Sequence, residues 1–98
     1  MTVNLYALSS QQSHVEEVLT YLKTNGLDIE HKFTDLNPDA QATLTKNNLT
    51  IQPVLVDVSN VDGQDVLTKF AEGAAVMALT AEQITAVKTA VETVPKPL

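Results

Sequence analysis

The chain contains no cysteine, and at 98 residues that absence is the strongest constraint on what it can fold into. At this length burial is incomplete and stability modest, and neither a disulfide nor a thiolate-bound metal can add to it. The fold must rest on one apolar core held by packing and hydrogen bonds, and 98 residues suffice for one such core and not for two. Residues 1–98 read as a single domain without linker, repeat or low-complexity segment.

The hydrophobic pattern places the elements. Val3 to Leu8 reads as a buried strand, broken by the small polar residues Ser9 to Ser13. Ser13-His14-Val15-Glu16 fits an S-x-x-E capping box. Val15, Val18, Leu19 and Leu22 then share one helical face, and Gly26 is the stop. Leu27, Ile29, His31 and Phe33 alternate with Asp28, Glu30 and Lys32, the period of a strand with one wet face. Asn37-Pro38 is an N-cap followed by a first-turn proline; Ala40 and Leu44 face inward until Asn47-Asn48. Val54 to Val58 is a central strand, and Asn60 to Gly63 a turn closed by Asp-Gly. After a short strand overlapping that turn, Asp65 caps a helix carrying Val66, Leu67 and Phe70 and ending at Glu72-Gly73. Ala74 to Leu79, six small or apolar residues, fits a helix extension or a buried connection, and the buried connection is the expectation. Thr80-Ala81-Glu82-Gln83 is a second capping box, opening a helix with Ile84, Val87 and Val91 inward, ended by Pro95 and Pro97. The order predicts an α/β domain with a mixed sheet flanked by helices on both faces. Its expected core is Val15, Val18, Leu19, Leu22, Val54, Leu55, Val56 and Phe70.

Charge narrows the partners. Twelve acidic residues against six lysines, with no arginine, give a formal charge of −6, which repels phosphate backbones and anionic lipid. Nucleic acid and membrane are therefore not expected as partners. The N-terminus has no basic segment leading into an apolar one, and no run approaches a membrane span of roughly 20 apolar residues, so the expectation is a cytoplasmic protein.

Three separated features, in order, resemble glutaredoxins. Val3-Asn4-Leu5-Tyr6 resembles that family's first strand and leads to Ser10-Gln11-Gln12-Ser13, where the family carries Cys-Pro-Tyr-Cys. Ile51-Gln52-Pro53 and the strand after it resemble Thr-Val-Pro, whose proline is cis in the family. Gly63-Gln64-Asp65 with Leu67 resembles the Gly-Gly-x-x-Asp stretch that opens the third helix. The resemblance spans about residues 3–73 and implies a thioredoxin/glutaredoxin-like fold with a four-stranded sheet, or three strands and one short one. It also implies a cis Gln52-Pro53 bond. Its binding groove would be made of Ser10, Gln11, Gln12, Ser13, Gln52, Pro53, Gly63, Gln64 and Asp65.

The departures decide what that groove can do. Thiol exchange needs a thiolate attacking sulfur, and a serine hydroxyl neither ionises near neutral pH nor forms an exchangeable bond to sulfur. The lysine that in the family precedes the active-site turn has no counterpart in Tyr6-Ala7-Leu8-Ser9. The resemblance leaves the Gln52 backbone to pair with a ligand's peptide, and a helix start at Gln64-Asp65 to receive an α-amino acid group. The reading is a redox-inactive, cofactor-free glutaredoxin-like domain that binds another protein through the groove, its four glutamines Gln11, Gln12, Gln52 and Gln64 offering neutral amides. The alternatives are a glutathione-binding or serine-type glutathione-dependent protein, and an active glutaredoxin whose cysteines were replaced by serine.

Other chemistry has little support. His14 and His31 have no carboxylate at triad or ligand spacing, and Ser10 and Ser13 have no accompanying base, so helix capping is their expected role. Asp57, Asp62 and Asp65 do not match calcium-loop spacing, which would demand an acid at Val58 and a glutamate at Lys69. Asn48-Leu49-Thr50 matches a glycosylation sequon by chance in this reading.

Overall fold

The structure, a computed structural model, describes residues 2–92; Pro95 and Pro97, expected to end the last helix, lie outside them. The chain forms β1 (Thr2–Ala7), α1 (Gln12–Thr24), β2 (Glu30–Phe33), α2 (Pro38–Lys46), β3 (Val54–Val61), β4 (Gln64–Glu72) and α3 (Ala81–Glu92). Short 3-10 turns at Ser9–Gln11, Thr34–Leu36 and Gly73–Met77 join them. The sheet order is β2-β1-β3-β4, with β1 and β2 parallel and the other two pairings antiparallel. It is a small α/β domain with a four-stranded mixed sheet.

Strand side chains alternate between the faces, and each face acquires its own helices. Val3, Leu5 and Ala7 of β1, Leu55 of β3 and Ala71 of β4 pack with Val15, Val18 and Leu22 of α1 and with Val87 and Ala90 of α3. On the opposite face Tyr6, Val54 and Val56 meet Ala40 and Leu44 of α2. Val54 and Val56 thus belong to a different cluster from Leu55. Leu19 and Phe70, both expected in the core, only pack partly buried against its edge.

Helix ends follow local chemistry. At the end of α1, Gly26 takes φ +79° while its amide bonds the Lys23 carbonyl and the Leu27 amide bonds that of Leu22. These are the two bonds of a Schellman cap, with Leu27 buried beside Leu22. Asn48 does the same for α2 at φ +58°, with Leu49 bonding back to Leu44. The Thr80/Gln83 capping box is reciprocal: Thr80 N–H donates to Gln83 Oε1 at 2.9 Å and Gln83 N–H to Thr80 Oγ1 at 3.1 Å. Ser13 forms no such box. It lies one residue inside α1, because the 3-10 turn Ser9–Gln11 starts the helical path earlier.

The largest correction concerns residues 64–72, expected as a helix and found as β4. Asp62 and Gly63 both have positive φ (53° and 80°), which makes a two-residue hairpin whose twist carries the chain straight back along β3, from Val61↔Gln64 onward. Val66, Leu67 and Phe70 fit a helical face as well as a strand with one extra residue. The register shift between Leu55 and Val56 leaves Phe70 as that residue, its neighbours Lys69 and Ala71 pairing with Val56 and Leu55. Asn47 then covers the outer edge of β4, donating to the Asp65 carbonyl at 3.3 Å and accepting from the Leu67 amide at 3.1 Å, as a neighbouring strand would. The strand expected over Leu27–Phe33 is regular only from Glu30. Within Ala74–Leu79, Val76 and Leu79 are buried, whereas Ala74, Ala75 and Ala78 face out.

Candidate functional site

At the end of the sheet where β1 and β2 leave and β3 enters, three loops are stitched together by side chains. The parallel β1–β2 register runs Ala7↔Phe33, so two residues further Ser9 comes opposite Asp35. There the Ser9 amide donates to Asp35 Oδ1 at 2.8 Å and its hydroxyl to Oδ2 at 2.5 Å. The Ser9 hydroxyl, and after it the Ser9 amide, holds the Asp35 carboxyl below the usual carboxylate range. Continuing the antiparallel β1–β3 register past Tyr6↔Val54 sets Leu8 opposite Gln52, and the Gln11 carboxamide fills the gap between them. Its Oε1 accepts from the Leu8 amide and its Nε2 donates to the Gln52 carbonyl, both at 2.9 Å. Buried Thr34 donates to Gln52 Oε1 at 2.7 Å, and the Gly73 amide donates to the Pro53 carbonyl at 2.7 Å. The Gln52-Pro53 bond is cis.

The expected site residues separate into two groups. Ser10, Gln11, Gln12, Ser13, Gln52 and Pro53 do share this end of the domain. Gly63, Gln64 and Asp65 do not. They sit at the β3–β4 hairpin, the full length of β3 away, roughly 26 Å for eight residues at about 3.3 Å each. The helix start that was to receive an α-amino acid group at Gln64-Asp65 is instead a strand ladder. Of the Gln52 backbone, expected to pair with a ligand's peptide, the carbonyl already accepts from Gln11. Ser10 and Ser13 do not act as caps, since neither hydroxyl has a hydrogen-bond partner among the described residues.

The bonds from Ser9 make Asp35 a weaker base than an ordinary carboxylate, and among the described residues no base is hydrogen-bonded to Ser10 or Ser13. His14 pairs with Glu17, Nδ1 to Oε2, at 3.8 Å, and His31 lies edge-on to Phe33 with ring centroids 5.4 Å apart. Among the described residues no three histidine or carboxylate side chains gather to hold a metal ion, and no helix is long and apolar enough to cross a membrane.

What the loops do present is apolar surface. Leu36 is 68% exposed, Ile51 51% and Leu8 38%. Each adjoins in sequence a residue of the hydrogen-bonded stitching: Leu8 precedes Ser9, Leu36 follows Asp35, and Ile51 precedes Gln52. Ser9, Thr34 and Asp35 were not singled out from sequence. The Ser9–Asp35 contact spans 26 residues and follows only from the β1–β2 register, which no local pattern encodes. No family model matches the chain, and comparison with curated proteins and with solved structures found no match.

Proposed function

We propose that the chain is a cysteine-free, glutaredoxin-like domain that binds another protein through the loops around Ser10–Ser13, Leu36 and Ile51-Gln52-Pro53. The sheet order β2-β1-β3-β4, with α1 and α3 on one face and α2 on the other, is compatible with a thioredoxin-type fold. The observation that carries the reading is the exposure of Leu8, Leu36 and Ile51 on three loops that hydrogen bonds already hold in place. Exposed large apolar side chains grouped on rigid loops offer burial to a partner at little ordering cost. The free hydroxyls and amide of Ser10, Gln12 and Ser13 supply hydrogen bonds at the rim.

The test is a selection of short peptides from a random displayed library on the immobilised protein. The enriched peptides should lose about tenfold or more in affinity on Leu36→Ser or Ile51→Ser, and less on Gln12→Ala, with thermal midpoints within about 2 °C of the parent, as surface changes permit. Peptides indifferent to all three substitutions but sensitive to Lys88→Ala on α3 would remove the site from this end of the domain.

A further inference from the structure

Charge is distributed unevenly over the proposed binding surface. Residues 8–13, 34–39, 50–53 and 72–75, which make that end of the domain, contain no lysine; of their three carboxylates Glu72 is paired with Lys69, and Asp35 and Asp39 have no cationic partner among the described residues. From Ser13 a shallow, open depression follows the outer stripe of α1, lined by Ser13, Glu16, Glu17, Thr20 and Tyr21, again without a cation. Lys23 and Lys46 stand in the last turns of α1 and α2, at the other end of those helices. Lys88 belongs there too: its Nζ lies 3.4 Å from where a Cβ on Gly26 would be. Lys69 is held by Glu72 at 2.9 Å, and Lys32 lies on the edge strand β2. The N-termini of α1 and α2 bring about half a positive charge each, which the carboxylates outweigh.

Resting on the binding reading above, we propose that the occupant of this surface is an extended segment of another protein that alternates apolar residues with lysine or arginine. Its apolar side chains would cover Leu8, Leu36 and Ile51, and its cations would face Asp39 and, along the outer stripe of α1, Glu16 and Glu17. Opposite potentials across such an interface speed association and select the partner, and the attraction falls with salt.

Fluorescence anisotropy with three labelled peptides of about eight residues, roughly 26 Å when extended at about 3.3 Å per residue, tests this. One alternates leucine with lysine, one leucine with glutamate and one serine with lysine. The leucine–lysine peptide should bind about tenfold or more tighter than either other. It should weaken several-fold between about 50 and about 300 mM NaCl and weaken again with Glu16→Gln/Glu17→Gln. Equal binding of the lysine and glutamate peptides, both lost on Ile51→Ser, overturns the cationic partner while leaving the binding surface in place. Binding of the serine–lysine peptide as tight as the leucine–lysine one overturns the apolar half. If no peptide binds, this proposal fails, and displayed-library binders that map to Leu36 and Ile51 show whether the surface itself survives.

Discussion

Asp57 is the residue whose replacement tests the packing most sharply. It lies at the centre of the sheet, between Val3 on β1 and Thr68 on β4, and points with Leu55 toward the α1/α3 layer. It is only 6% exposed, and its Oδ1 is buried without a hydrogen-bond partner among the described residues. An unmet polar group in such a place costs about 1–3 kcal/mol, whereas valine is of similar size, packs against its apolar neighbours and suits a central strand. Asp57→Val should therefore raise stability by about 2 kcal/mol. For a domain of this size that is about 8–16 °C in the thermal midpoint, at about 4–8 °C per kcal/mol. Far-UV circular dichroism during thermal and urea unfolding measures it, with exposed Thr68→Val as the control expected to stay within about 0.5 kcal/mol. The leucine–lysine peptide should bind Asp57→Val as it binds the parent, because Asp57 touches none of the loops at the site. A fall of several degrees would refute the reasoning, since it would mean that the carboxylate has a stabilising partner that the geometry does not contain.

Leu22→Ala should cost about 3–5 kcal/mol in urea unfolding, because Leu22 is fully buried in the α1 layer, whereas Leu19→Ala should cost less than about 2; equal losses would mean that α1 is rotated from the described face. Burial of Tyr6, and secondarily the charge of Asp65, pushes the phenol pKa up from 10.0. The stability linked to it is complete below pH 10.0 and is lost as pH rises through the higher folded-state value, so Tyr6→Phe should abolish that alkaline loss, and an unchanged alkaline slope would exclude Tyr6 as its source. Asp35, held low by Ser9, works in the opposite sense: its link is complete above the ordinary carboxyl value of 3.8 and is lost as pH falls through the lower folded value. Asp35→Asn should flatten the acid side of the stability profile, and a profile as steep as the parent's would assign that slope to other carboxylates.

Sequence by itself determined those elements whose signals are local. The faces of α1 and α3, the Thr80/Gln83 box, the Gly26 stop, the Asn37-Pro38 start and the Asp62-Gly63 turn each rest on residues within one or two turns of one another. Absence of cysteine likewise excluded thiol exchange before any coordinates were considered. Tertiary structure alone decided what depends on register. Val66, Leu67 and Phe70 satisfy a helical face as well as a bulged strand, and β3 settled the choice by offering a partner directly across the hairpin. With β4 extended, Gly63, Gln64 and Asp65 moved to the far end of the sheet and left the site. The same dependence on pairing brought in Ser9 and Asp35, 26 residues apart, and set the Gln11 carboxamide between Leu8 and Gln52. Period and capping are properties of a few consecutive residues, but a strand's partner is chosen by the whole sheet. The proposed binding surface, assembled from three strand ends, could therefore be completed only by the fold.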